Sequence, residues 1–249
     1  MKFLVFADVH GNATALNAVL QKERDFDSVV FLGDAVSPGP QPNETIELLS
    51  ALRGVFIQGN HEHSMLHPES TANWPDGHKA LMDWIYEVFH ESGYELLKKF
   101  NSPGEYELDG RTFVLAHGDE NKEVRHVLPD SPGQYFDTFR YGNNASDVLF
   151  GHSHVQFRRR IGNQEFINPG SIGQNRCGHV LACYGLLVDG EFSHHHVAYD
   201  PTPWLDACDR IPTLHQFAKF RDWFKQQALT GYSMGASEPW LSYSNKGYL

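Results

Sequence analysis

The chain has 249 residues, 41% of them hydrophobic and 20% charged, which suits one large globular domain with a substantial core. Its formal net charge of −11 argues against a general nucleic-acid binder or a membrane-surface protein, but leaves a phosphate substrate open, because bound dications reverse the local field. Three cysteines in no repeated pattern (Cys177, Cys183 and Cys208) suggest free thiols in a reducing compartment, the N-terminal run is too short for a signal peptide, and no stretch reaches transmembrane length, so a cytoplasmic protein is expected.

Lys2–Ala7, Ser28–Leu32 and Val55–Gln58 are short apolar runs, each followed by a polar, glycine-containing loop: DVHGN, GDAVSPGP and GNHEH. Between them lie two helical patterns. One opens near Asn12 and carries Leu16, Val19 and Leu20; the other opens near Asn43 and carries Ile46, Leu49 and Leu52. This alternation predicts a parallel βαβαβ unit with right-handed crossovers. Sites in such sheets form at the carboxyl ends of the strands, where all three loops sit.

Leu81, Trp84, Ile85, Val88 and Phe89 then recur at helical spacing after a cap at Asp76. Beyond them the pattern changes. Asp109-Gly110, Gly162-Asn163 and Asp189-Gly190 separate β-like runs as tight hairpins, so the strands here are expected to be mainly antiparallel. The expected fold is α/β, a four-layer αββα sandwich of two mixed sheets flanked by helices, formed by residues 1–200. Residues 201–249 read as a C-terminal helical extension packed on the same domain. There Thr213 and Gln216 fit a capping box, Leu214, Phe217, Phe220, Trp223 and Phe224 mark an apolar face, and Gly231 is a stop. The last segment is expected to pack loosely or to be partly disordered.

The polar residues at the strand ends share a chemistry. Asp8 and His10 follow the first strand at i, i+2, a spacing that points both side chains to one side of an extended chain. Asp34 follows the second strand, and Asn60 and His61 the third. His117 ends the run Thr112–Ala116, and His152 and His154 end Val148–Phe150, again at i, i+2. Most stand beside a glycine, which allows close approach. Imidazoles and carboxylates converging on one spot suggest a metal, or two metals.

The ordered set D-x-H, G-D, G-N-H, H and G-H-x-H resembles the calcineurin-like metallophosphoesterase superfamily over residues 1–200. Asp8–Asn12 (DVHGN), Gly39–Glu44 (GPQPNE) and Asn168–Arg176 (NPGSIGQNR) are similar to stretches of its compact branch of predicted phosphodiesterases and diadenosine-tetraphosphatase-related proteins. The resemblance implies one metal held by Asp8, His10, Asp34 and His154. It implies a second held by Asp34, Asn60, His117 and His152, with Asp34 as the bridge. His61 would bind no metal and would serve as general acid over the substrate phosphate. Two dications ~3.5–4 Å apart clamp phosphoryl oxygens and generate a bridging hydroxide that attacks in line. The mixed N/O donors suit manganese, iron or zinc over magnesium or calcium, and manganese is placed first.

The implied function is metal-dependent hydrolysis of a small phosphodiester or phosphomonoester. One alternative is a nucleotide or dinucleoside-polyphosphate hydrolase. Another is a non-catalytic interaction scaffold on the same fold, although every expected ligand type is present here. Candidate substrate contacts are Asn60, Arg176 and Asn12, the last of which equally fits an N-cap of the first helix. Glu62 either orients His61 or begins a helical turn. Arg158-Arg159-Arg160 reads as a solvated strand edge rather than a nucleic-acid patch. His117-Gly118 is followed by Asp119 and Glu120, where the family carries small residues and proline, so two carboxylates are expected at the pocket rim. No membrane partner is expected, and the oligomeric state is left open.

Overall fold

The computed structural model describes residues 1–118, 126–139, 146–233 and 235–249. In chain order the elements are β1 (Lys2–Phe6), α1 (Ala13–Lys22), β2 (Ser28–Phe31), α2 (Pro42–Ser50), β3 (Gly54–Phe56) and α3 (Asn60–Leu66). There follow α4 (Asp76–Val88), α5 (Glu91–Leu97), β4 (Gly104–Leu108), β5 (Arg111–Ala116), β6 (Asp147–Phe150), β7 (Gln156–Ile161) and β8 (Gln164–Pro169). The chain ends with β9 (Leu181–Val188), β10 (Glu191–Ala198), α6 (Thr202–Asp209), α7 (Ala218–Thr230) and α8 (Trp240–Asn245). No helix among the described residues is long and apolar enough to cross a membrane.

Two five-stranded sheets form, ordered β10-β9-β1-β2-β3 and β4-β5-β6-β8-β7. The expected parallel unit is β1-β2-β3, with Val5 opposite Val30 and Val30 opposite Val55. The second half is mainly antiparallel, as expected, but its sheet has a parallel centre. The hairpins β4–β5, β7–β8 and β9–β10 are antiparallel, but β5-β6 and β6-β8 are parallel and form the centre of the second sheet. Local turn signals report hairpins; they carry nothing about which non-adjacent strands pair. The Asp-Gly turns hold both residues at positive φ (53° and 76° at 109–110, 50° and 83° at 189–190), the geometry a two-residue hairpin loop requires.

Alternation along each strand builds the layers. Phe3, Val5 and Ala7 join Val30, Leu32, Phe113, Leu115, Leu149 and Ile167 between the two sheets. Leu4, Phe6, Val29 and Phe31 point the other way and pack under α1, α2, α4, α6 and α7 through Leu16, Leu49, Leu81, Trp204 and Phe224. Val114, Ala116, Val148 and Phe150 form the outer face of the second sheet, covered by Phe136 and Phe139 of a 3₁₀ segment and by Trp240 and Tyr243 of α8. The central strands are buried on both faces, which is why they read as continuous apolar runs.

The last 49 residues therefore supply helices to both outer layers. The final segment packs firmly, with Trp240 and Tyr243 buried. Thr213 caps no helix: Pro212–Phe217 is 3₁₀, α7 starts at Ala218, and the Thr213 hydroxyl donates to the Ala80 carbonyl. Gly231 does end α7, at φ 72°. The basic run of β7 lies on a sheet edge, where Arg158 pairs with Glu165 and Arg159 donates to the carbonyls of Pro129 and Ser131.

Candidate metal centre

Asp8, His10, Asp34, His152 and His154 share an uncommon backbone state. All five have positive φ, between 47° and 69°. A non-glycine residue there costs about 1 kcal/mol or more, so the group costs on the order of 5 kcal/mol, comparable with the whole stability of a small domain. Of the seven non-glycine residues with positive φ among those described, the other two are the hairpin residues Asp109 and Asp189. Strain of this kind persists where surrounding structure enforces it, and here it turns side chains from separate strand ends toward one point.

The ligand atoms of Asp8, His10 and His154 lie within 4.8 Å of one another, and so do those of Asp34, His117 and His152. His10, Asp34 and His61 form a third such group. Asp34 Oδ2 stands 3.0 Å from His117 Nε2 and 3.7 Å from His10 Nε2, so one carboxylate oxygen faces imidazoles of two groups. Asp8 Oδ1 is 3.2 Å from His154 Nε2, and the His152 backbone N–H donates to both Asp8 oxygens. Asn60 Oδ1 is 3.1 Å from His117 Nε2. Asp8, His10, Asp34, His117 and His154 are buried, His61 and His152 are partly buried, and Asn60 is exposed at the mouth.

The backbone fixes three of the rings. Nδ1 of His10 donates to the Ser37 carbonyl at 2.6 Å, Nδ1 of His117 to Leu32 at 2.6 Å and Nδ1 of His154 to Gln174 at 2.7 Å. Each bond leaves Nε2 as the atom that could face a metal, the arrangement found in metal-bound histidines. The consequence is clearest for His10 and His154, whose Nε2 atoms face each other at 3.1 Å. With both Nδ1 protons committed, the two Nε2 positions face one another with no hydrogen-bond donor between them, an arrangement that a cation relieves. This donor set fits divalent metals.

Protonation reflects the same crowding. Burial lowers the pKa of His154 to about 3, helped by the nearby Arg176 charge, and lowers His152 to about 4, helped by His117. Burial also opposes charge on His117, but Asp34 outweighs it and raises this ring to about 10. Asp34 is held far below the usual carboxylate range: burial works against this, but the His117 charge and the hydrogen bond from that ring prevail.

Two glycines beside the candidate ligands make room for protein rather than for an ion. A Cβ on Gly59 would lie 2.3 Å from Asp34 Oδ1, and one on Gly33, at φ 96°, would lie 2.7 Å from His117 Nδ1. Glu62 has a role that its sequence position left open. Its buried carboxylate accepts the backbone N–H groups of Asp34 (2.8 Å), Ala35 (2.6 Å) and Gly59 (2.7 Å), and so ties the Asp34 loop to the start of α3. Burial and the Asp34 charge raise its pKa to about 6, against the pull of those three donors. His61, in the first turn of α3, is oriented instead by Ser37, whose Oγ lies 3.1 Å from its Nδ1; the Trp74 ring stands edge-on at 6.0 Å.

Asn12 caps α1. It is fully buried, its Oδ1 caps Ala15 N–H at 2.9 Å, and its Nδ2 faces the Gly173 carbonyl and the Tyr199 hydroxyl. Arg176 is buried, donates to His126 Nε2 at 3.1 Å and lies over the Trp240 ring. Nothing in the sequence marked Ser37, His126 or Trp240, because each acts through a fold-level contact. Asp119 and Glu120 lie outside the described residues.

The family model for the calcineurin-like phosphoesterase superfamily domain matches residues 1–188. The uncharacterized protein MJ0912 of Methanocaldococcus jannaschii is 30% identical over 207 residues, spanning 76% of this chain and 83% of that protein. Among solved structures, the hypothetical protein PH1004 from Pyrococcus horikoshii OT3 superposes with a TM-score of 0.76 at 20% identity, covering 95% of this chain and 99% of that one. A metallophosphoesterase from Sphaerobacter thermophilus gives 0.66 at 22% identity, covering 88% and 94%. At these identities the two structures speak to the fold alone.

Proposed function

This chain belongs to the calcineurin-like phosphoesterase superfamily, hydrolases of phosphoric ester bonds that work with divalent metals, and we propose that it holds two such ions at once and cleaves small phosphate esters with His61 as the general acid. One ion is assigned to Asp8, His10, Asp34 and His154, the other to Asp34, Asn60, His117 and His152. The observation that carries this reading is the 3.1 Å approach of the His10 and His154 Nε2 atoms, with both Nδ1 protons committed elsewhere and Asp34 Oδ2 placed between His10 and His117.

When bound, two dications supply positive charge for the phosphoryl oxygens and a water of lowered pKa as nucleophile. The protein supplies orientation and a proton. Asp34 holds both halves of the centre, and Glu62 holds Asp34. His61 faces the leaving oxygen. Burial, together with His10 and His117, keeps the His61 pKa at about 4, so its ring is neutral in the free site at pH 7. An anionic phosphate beside it acts as Asp34 does, favouring the imidazolium that the leaving oxygen needs. Asn60 and Arg176 contact the phosphate, whereas Asn12 remains the cap of α1. Manganese is the preferred ion, with iron or zinc as alternatives. The buried free thiols of Cys177, Cys183 and Cys208 suit a reducing compartment such as the cytoplasm.

A chromogenic ester panel on metal-loaded protein tests the reading. A monoester carries about two negative charges near neutral pH, since its second pKa is ~6, whereas a simple diester carries one and meets less repulsion from a chain of net charge −11. With Mn²⁺ supplied, bis-p-nitrophenyl phosphate is expected to match or exceed p-nitrophenyl phosphate in kcat/KM. A large advantage for the monoester would make the protein a phosphomonoesterase instead. Absence of turnover on both esters with Mn²⁺, Fe²⁺ and Zn²⁺ would contradict the assignment.

A further inference from the structure

The Arg176 charge is felt at His152 and His154, and its loop is tied to the C-terminal segment. The Ser233 backbone N–H donates to the Asn175 carbonyl at 3.0 Å. The Ser233 hydroxyl shares the Gln174 carbonyl with His154 Nδ1. At the chain end, the Leu249 carbonyl accepts the Gln156 N–H at 2.6 Å, two residues past His154. Two separate attachments therefore link residues 231–249 to the shell around one proposed ligand.

The side-chain contacts are more specific. The Arg176 guanidinium carbon lies 4.9 Å from the centre of the Trp240 ring, within cation–π range. Its Nη1 donates to His126 Nε2 at 3.1 Å. The His126 ring packs at 4.8 Å against His152 and stands edge-on to Trp240 at 6.0 Å. Trp240 is itself anchored in the outer core of the second sheet beside Tyr243, whose hydroxyl donates to Asp130. A continuous stack thus runs from α8 through the guanidinium and His126 to the metal centre. A long arginine side chain loses rotamer entropy when it binds an anion, and an aromatic face that holds it in advance reduces that loss.

We propose that Trp240 is a positioning residue that holds Arg176 for the substrate phosphate, so that α8 sets the substrate affinity of the site. This rests on the substrate contact assigned to Arg176 above. Trp240 touches no reacting atom, and its loss should act on KM rather than on kcat.

The test uses Mn²⁺-loaded protein, with KM for bis-p-nitrophenyl phosphate and Ki for inorganic phosphate as readouts. Trp240→Leu keeps an apolar side chain but removes the aromatic face, and is expected to raise both constants by about 3–10-fold, with kcat and metal content maintained. Trp240→Phe restores a π face and should stay within about 2-fold of the parent protein. In an Arg176→Ala background, Trp240→Leu should add nothing, because the group it positions is gone. Equal effects of Leu and Phe, additive effects in the double variant, or loss of metal from Trp240→Leu would each overturn the proposal. An Arg176→Ala protein with parental KM would overturn the underlying substrate contact as well. A raised KM in Arg176→Ala with a silent Trp240→Leu would overturn this inference alone. Should Trp240→Leu fail to fold, Trp240→Met makes the same comparison with an unbranched apolar side chain that adapts to irregular gaps.

Discussion

Asp34→Asn is expected to purify depleted of metal at both sites and to lose at least ~10²-fold in kcat/KM, since even outer-shell partners of a metal site act on that scale. The substitution is conservative in every other respect. Asparagine tolerates the left-handed backbone that Asp34 adopts at φ 64°. It also keeps the Oδ1 acceptor for the His61 N–H at 2.8 Å. What it removes is the negative charge and the second acceptor, Oδ2, which faces both His10 and His117. His154→Asn serves as the contrast. It keeps the same backbone region but is too short to replace Nε2, and it should weaken the Asp8–His10 side while leaving the His117–His152 side loaded. Elemental analysis of the purified variants, with thermal melting as a folding control, separates the two. Full occupancy in a folded Asp34→Asn protein would rule out the bridge.

Loss of the His61 ring should leave the metals in place and remove the proton donor. Alanine suits the first turn of α3, and the backbone N–H that anchors Asp34 survives the change. The expected loss on an alkyl phosphate ester is ~10²–10⁴-fold in kcat, the usual contribution of general acid catalysis. A p-nitrophenyl ester should lose much less, about 10-fold, because p-nitrophenolate departs without protonation. Parallel kcat measurements on the two ester types in His61→Ala decide the matter. An equal loss on both would show that His61 binds or orients the phosphate but does not protonate the leaving group.

The candidate ligands that the structure brings together stand out in the sequence because three independent regularities coincide at them: an apolar run, a glycine, and a polar residue at the strand end. The i, i+2 spacing of Asp8 with His10 and of His152 with His154 added the shared direction. The structure reaches that convergence differently, by holding all four in the left-handed region rather than on an extended chain. Side chains two apart in a strand share a face, but no sequence rule assigns positive φ to histidine.

Glu62 was visible as a residue but not as a brace, since its three partners come from two loops that only the tertiary fold brings together. The parallel core of the second sheet was hidden for the same reason. Its strands β6 and β8 are separated by the antiparallel β7, and only local hairpins announce themselves. The Thr213 capping box matched a pattern whose hydroxyl found a nearer acceptor in Ala80. The segment around Trp240 looked loose because its short helix has no long periodicity, yet its aromatics fill the outer face of the second sheet.

The number and position of the ions test the proposed two-metal centre most directly. Crystals of the Mn²⁺-loaded protein, measured for anomalous scattering, should show two peaks in the centre. One is expected at Nε2 of His10 and His154 with Asp8, the other at His117, His152 and Asn60, with the Asp34 carboxylate touching both. A single peak, or two peaks that Asp34 does not connect, would contradict it.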